Sequence, residues 1–295
     1  MTPIAALFAV ALVLVSAAMH TYWNLLVKRS EDQAIFMWMM MCAAVVIFLP
    51  VALFLIFAEG AGVRNLIYPI AGGVVQGFYC LWLARAYNHG DFSLVYPLAR
   101  GAAPALIAIA AWPLLNERLS VSGALGIAVV FLGVLVLHAE GLSADGMRAM
   151  SRALRSRASG LAALCAVSIA AYHVIDKAGV KDSNPFVYNY AIHPAICVVL
   201  GLLIQPWRRM DSVRREWRER KWQVIIVAVL CFGAYFLVLV AMTLWRVGYV
   251  ATARNISIVF AVFAGARWLR EQHLSSRLAG AALILAGIGV LAVAG

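Results

Sequence analysis

Two arginines and two histidines of this 295-residue chain, Arg100 and Arg254, His20 and His173, stand inside apolar stretches. In lipid a charge at a helix centre costs ~2.5–3.5 kcal/mol on insertion scales, so such residues face a cavity or a partner. Arg100 and Arg254 lie a turn or two inside their stretches, a depth from which a long side chain also snorkels to headgroups. In a cavity the guanidinium fork would hold an anionic group such as a carboxylate by bidentate pairing. His20 and His173 sit deeper. An imidazole there is either a hydrogen-bonded packing group or one that contacts substrate or titrates during proton-coupled exchange. Asn24 follows His20 at i+4 and Asp176 follows His173 at i+3, so each pair shares a helical face. Asp176 is the acidic candidate for a coupling proton, although its place near a helix end beside Lys177 equally suits a solvated carboxylate. Trp23, Gln76, Tyr79, Tyr96 and Tyr172 suit a cavity wall, with aromatic faces and isolated hydrogen-bonding groups. Near span ends, aromatics also form interfacial belts.

The elements that position these residues follow from composition. Hydrophobic residues make up 64% of the chain and charged residues 13%, against about half and a quarter in soluble domains. A spanning helix needs ~20 apolar residues, and ten runs answer to that length: 4–27, 33–58, 66–87, 93–115, 120–138, 159–178, 185–205, 222–245, 249–269 and 274–294. The expectation is an all-α integral membrane protein, since backbone groups in lipid must bond internally. Disorder, collagen and coiled coil are excluded by the same composition. The apolar run from Ile4 has no basic region before it and outlasts a signal core, so the first helix is read as retained. Cys42, Cys80, Cys165, Cys197 and Cys231 all lie in apolar stretches without CxxC spacing, which argues against a disulfide framework or a metal site. No cofactor motif is present.

The net charge is +11. Basic residues concentrate at 139–158 (Arg148, Arg152, Arg155, Arg157) and at 206–222 (Arg208, Arg209, Arg214, Arg215, Arg218, Arg220, Lys221). They read as topology determinants beside anionic lipid rather than a nucleic-acid surface, because no groove-reading pattern accompanies them. Loops after odd-numbered helices carry both clusters with Lys28, Arg29, Arg267 and Arg270. Those after even-numbered helices carry only Arg64, Arg118, Lys181 and Arg246. The positive-inside rule then places both termini outside.

The two halves repeat one another. "YPLARGAAP" leads to "NERLSVSGALGIAVVFLGVLVL", and "ATARNISIV" leads to "REQHLSSRLAGAALILAGIGVLAV". At one offset Arg100 meets Arg254, Glu117 meets Glu271, Gly126 meets Gly280, and Gly133 meets Gly287. "SAAMHTYWNLLVK" and "IAAYHVIDKAGVK" align His20 with His173 and Lys28 with Lys181. The expected units are residues 1–138, a basic connecting loop 139–158, and residues 159–295. With five helices each, the second copy crosses the membrane in the opposite sense, and such inverted repeats hold substrate at their midplane interface. Glu117 and Glu271 are expected to cap the helices that follow them. The paired glycines let helices approach closely, either between halves or between protomers.

The Gly/Ala-rich helix containing Pro97, the Glu at its end, the glycines beyond, and the opening "AMHTYWNLLVKRS" resemble the EamA-type branch of the drug/metabolite transporter superfamily. The resemblance covers about residues 4–294. It implies ten helices in two inverted five-helix repeats and transport, usually export, of a small metabolite. It also implies cytoplasmic termini, against the charge count, so orientation stays open between the two. The second copy departs from the first: Ala251 stands at the place of Pro97, and Asp176 and Lys177 at those of Trp23 and Asn24.

The function expected is a secondary transporter working by alternating access, either coupled to a proton or counter-substrate or uncoupled. Its partners are a small-molecule substrate and membrane lipids, as monomer or homodimer, in a bacterial inner membrane. The alternatives are an intramembrane enzyme and a non-transporting receptor or scaffold. The chain holds no GxxxxGK[ST], HExxH or GxSxG pattern.

Overall fold

The computed structural model describes residues 3–58, 60, 62–89, 95, 99–101, 103–118, 120–138, 155–257, 259, 260 and 274–294. These residues form helices and connecting turns, with no strand among them. The helices are α1 Pro3–Lys28, α2 Gln33–Ala58, α3 Ile67–His89, α4 Ala103–Leu115, α5 Val121–His138, α6 Arg157–Val180, α7 Pro185–Ile204, α8 Met210–Leu244, α9 Val247–Ala253 and α10 Leu274–Ala294. Among the described residues, α1, α2, α3, α6, α7 and α8 are long and apolar enough to cross a membrane. Shorter apolar helices cover Ala99–Leu115, Val121–Val134 and Ala279–Val290.

Local chemistry sets several of the ends. Asn184 caps α7 by accepting from the N–H groups of Phe186 (2.9 Å) and Val187 (3.2 Å), with Pro185 in the first helical position. Gln205 stops that helix in the left-handed region, at φ 52°, and its N–H bonds the Gly201 carbonyl. Ser156 caps α6 through the Ser159 N–H. The burial pattern is that of a lipid-embedded bundle. Phe57 and Val121 are each 81% exposed, whereas Asn24, Asp176 and Asn189 are fully buried. Apolar groups outside and polar groups inside reverse the soluble arrangement, as a hydrocarbon solvent requires.

The packing is reciprocal between halves. α3 lies on α6 of the other half, and α8 lies on α1. α3 with α7 is matched by α8 with α2, and α2 with α7, α4 with α9 and α5 with α10 complete the set. The last pair is the tightest. A Cβ added at Gly133 would stand 2.8 Å from the Gly280 carbonyl oxygen, and one at Gly287 would stand 2.8 Å from that of Gly126. The glycine faces therefore meet each other between the halves of one chain.

Two expected boundaries are corrected. The basic stretch at 206–222 is not all loop. After a 3₁₀ turn at Pro206–Arg208, α8 starts at Met210, twelve residues before the expected start at 222, and bends at Arg220 (φ −131°, ψ 17°). Its charges have partners: buried Glu216 accepts from the N–H groups of Glu31 and Asp32 (3.0 Å each), Arg215 pairs with Glu31 (3.1 Å), and Arg209 pairs with Asp32. Tertiary anchoring to the α1–α2 turn makes helical a segment whose apolar periodicity was weak. The ninth span, expected over 249–269, starts two residues earlier as α9 at Val247, is interrupted by a turn at Arg254 and Asn255, and is helical again at residues 256, 257, 259 and 260; residues 261–269 lie outside the described residues.

Replacing Gly287 by Leu should lower the thermal unfolding temperature in detergent by the equivalent of ~1–3 kcal/mol, the usual cost of overpacking. Gly289→Ala, where an added Cβ meets nothing within 4 Å, should leave that temperature unchanged or slightly raised.

Candidate functional site

Four helices deliver the polar centre of the bundle. α1 brings His20 and Trp23, α6 brings Tyr172, His173 and Asp176, the helical residues before α4 bring Arg100, and the turn after α9 brings Arg254. Neither arginine snorkels: Arg100 is 5% and Arg254 2% exposed. Both converge on one imidazole. Arg100 Nη2 lies against His20 Nε2, and Arg254 Nη2 lies 3.5 Å from His20 Nδ1. Trp23 Nε1 donates to His20 Nδ1, at 3.1 Å, with the two rings edge-on. His173 Nδ1 faces the Ile169 carbonyl at 2.9 Å, which assigns the proton to that nitrogen and leaves Nε2 to accept from Arg254 Nη1 at 3.4 Å. The repeat-related residues thus form one continuous layer, His20 with Arg100 and His173 with Arg254.

This layer divides two cavities. The smaller, about 210 Å³, is lined by Arg100, Arg254, His173 and Asn255 over an apolar floor that includes Pro104 and Ala251. The larger, about 460 Å³, has aromatic walls from Trp23, Tyr79, Tyr172 and Tyr235, with polar groups of His20, Gln76 and His193. Arg254 lines both, and its guanidinium lies 5.9 Å from the Tyr235 ring centre. It is placed there by a break in the helix, since the chain turns at Arg254 and Asn255 with i→i+3 bonds from Asn255 N to Thr252 O (2.9 Å) and Ser257 N to Arg254 O (3.0 Å). Interrupted helices of this kind mark binding sites in transporter folds.

Asp176 stands behind the larger cavity rather than in it. The carboxylate is fully buried and takes three donors: Tyr188 Oη on Oδ1 at 3.0 Å, Gln76 Nε2 on Oδ2 at 3.0 Å, and Tyr235 Oη on Oδ2. The solvated reading of Asp176 is therefore corrected. Lys177 turns away from it to Glu117 (3.4 Å) and to the carbonyls of Met242 and Trp245 at the end of α8. Room for the carboxylate comes from Gly72 on α3, where a Cβ would come within 2.2 Å of Oδ1.

Of the other expected site residues, Trp23, Tyr79, Tyr172 and Gln76 line the larger cavity, and the burial of the three aromatics rules out an interfacial belt for them. Asn24 does not line either cavity: its amide bonds the His20 carbonyl and its oxygen accepts from Tyr87 Oη, so it ties α1 to α3. Tyr96 lies outside the described residues. Glu117 caps a helix, but not the one that follows it; Oε2 accepts from the Val247 N–H at 2.9 Å, at the start of α9 in the other half. Glu271 lies outside the described residues. Asn255, Tyr235 and His193 were not singled out from the sequence. An asparagine directly after an intramembrane arginine, and a histidine inside the seventh span, were signals available for two of them.

A family model described as the EamA-like transporter family matches residues 3–139 and again residues 157–293. The chain belongs to this family. No curated protein matches the sequence, whereas 29 solved chains match it. One of these, a crystal structure with 14% sequence identity, superposes at a TM-score of 0.66 over 98% of this chain and 96% of its own. At that identity the likeness shows a shared fold alone. The family match makes the chain a multi-pass membrane transporter of the drug/metabolite superfamily with a two-repeat helical architecture.

Asp176→Ala strands three donors, each worth ~1–3 kcal/mol when left unsatisfied. It should unfold at a clearly lower temperature than Asp176→Asn, which retains the volume and one accepting oxygen. Equal unfolding temperatures would argue against the three-donor arrangement.

Proposed function

We propose that this protein is a secondary transporter that binds the anionic group of a small polar or amphipathic metabolite between Arg100 and Arg254. The binding layer alternates between the two faces of the membrane as the two inverted five-helix repeats rock, with ten crossings in all and net export as the direction. The observation that supports this most is the convergence of two buried, repeat-related arginines on His20, with both guanidinium groups lining cavities. Two guanidinium forks in low dielectric offer strong paired donors to an anion. An anion entering the layer takes over donors now directed at the histidines, so binding and rearrangement of the layer are one event.

Coupling to a proton or counter-substrate completes the cycle, and Asp176 is the candidate coupling residue. Its carboxyl joins α6 to α3, α7 and α8 through Gln76, Tyr188 and Tyr235. Adding a proton converts one accepting oxygen into a donor, and at least one of those three partners must then turn. Gln76 and Tyr235 also face the larger cavity, so the change reaches the substrate side.

Protein reconstituted in liposomes, preloaded with a candidate organic anion, provides the test. Arg100→Ala and Arg254→Ala should each lower flux at least about tenfold, the loss expected when ~1.4 kcal/mol or more of binding is removed. Wild-type flux from both variants, expressed and folded normally, would overturn the site. Substrate turnover without flux would favour an intramembrane enzyme.

A further inference from the structure

The two cavities carry information about the ligand beyond its charge. Resting on the arginine-layer reading above, we infer that the substrate is an organic carboxylate with a flat apolar body and no ammonium group, its head in the smaller cavity and its body in the larger.

The head site has three convergent donors. Besides Arg100 and Arg254, Asn255 is 1% exposed and lines the same cavity, and its Nδ2 has no hydrogen-bond partner among the described residues. A buried amide donor left unmatched costs ~1–3 kcal/mol, and a ligand oxygen placed there supplies the missing acceptor. This is the smaller of the two cavities, so of the two it suits the compact head rather than the body.

The body site is aromatic on several sides. Tyr79 and Tyr172 lie 5.9 Å apart between ring centres, and Tyr172 and Tyr235 are also 5.9 Å apart, edge-on. Trp23 forms a further wall and is itself pinned by its bond to His20. Rings 4.5–7 Å apart in tilted and edge-on arrangements are the geometry in which aromatic groups attract, and a planar ligand ring extends such a cluster. Arg254 lines both cavities, so one molecule can place its carboxylate on the arginines while its ring remains among the tyrosines.

The exclusion of an amine follows from the acidic residues. Among the described residues no carboxylate lines either cavity. The nearby one, Asp176, is turned away and saturated by three donors, two of which, Gln76 and Tyr235, stand between it and the larger cavity. An ammonium group entering here loses its water beside the cations Arg100 and Arg254, which burial makes costly, and meets no carboxylate among the described lining residues.

The test uses the full-length protein in detergent, with thermal unfolding as the binding readout, and four probes: 3-phenylpropanoate, phenylalanine, 2-phenylethylamine and propanoate. 3-Phenylpropanoate should stabilise the protein and bind about tenfold or more tightly than phenylalanine and than propanoate. Tyr172→Ala should weaken 3-phenylpropanoate and leave propanoate unchanged, and Asn255→Ala should weaken both. Phenylalanine binding as well as 3-phenylpropanoate overturns the exclusion of an amine. Propanoate binding as well as 3-phenylpropanoate overturns the apolar body while leaving the arginine site standing. Binding of 2-phenylethylamine that survives Arg100→Lys overturns both this inference and the arginine site. Should Tyr172→Ala fail to fold, Tyr79→Leu serves in its place, with the same outcomes for and against.

Discussion

Keeping two guanidinium groups inside a bilayer is the constraint on which the rest of this structure depends. Neither Arg100 nor Arg254 reaches headgroups, so the bundle must supply their acceptors and exclude lipid from them. It does so with an inner layer of imidazoles, an aromatic wall, and large apolar side chains on the outside of the helices. The helix break after Ala253 belongs to the same solution. An uninterrupted helix would bond all its own carbonyls and carry Arg254 past the centre, whereas the turn at Arg254 and Asn255 aims both side chains into one cavity. The cost in backbone hydrogen bonds is tolerated because the break faces protein rather than lipid.

Around that layer, the halves hold each other more than they hold themselves. α3 packs on α6 and α8 on α1, so the first helix of each unit is clasped by the third helix of the other. The carboxyl network of Asp176 lies in one of these crossings, with Gly72 providing the space. The pseudo-equivalent crossing of α8 on α1 has a different arrangement, in which Ser16 Oγ donates to the Ala234 carbonyl. The repeat is thus symmetric in architecture and asymmetric in chemistry, with one acidic network in the second copy's crossing and none at the matching place among the described residues.

Much of this was legible in the sequence, for reasons that can be named. Apolar run length announces lipid-facing helices because the solvent imposes it, and the duplication could be read from residues whose spacing packing preserves, such as Gly133 and Gly287. The layer itself was legible as types, two arginines and two histidines at matching places in each half. What failed was partner assignment. Asp176 and Lys177 are neighbours in sequence yet point to different helices, because successive residues on a helix lie on different faces. The alignment pairs Lys28 with Lys181. The structure instead gives the matching role to Lys177, which bonds carbonyls at the end of α8 as Lys28 bonds the Tyr87 carbonyl at the end of α3. Equivalent function had slipped by one turn, which no offset reveals. Asn24 was read toward the cavity because it shares a face with His20, and it proved to be a brace to Tyr87. The helical start of α8 escaped detection because it is fixed by Glu216 reaching the α1–α2 turn, a contact remote in sequence.

Glu216 and Glu117 together have a mechanical consequence. Each carboxylate leaves its own half and grips backbone N–H groups of the other: Glu216 at the α1–α2 turn, and Glu117 at the start of α9. By chain direction these grips lie at opposite ends of the bundle. They act as two latches on one door hung at its middle. Both are fastened here, so on the rocking proposed above, a tilt of the halves either way would unfasten one while the other serves as the fulcrum. The bend at Arg220 lies one helical turn from Glu216, so the α8 arm can stay bolted to the α1–α2 turn while the rest of α8 swings.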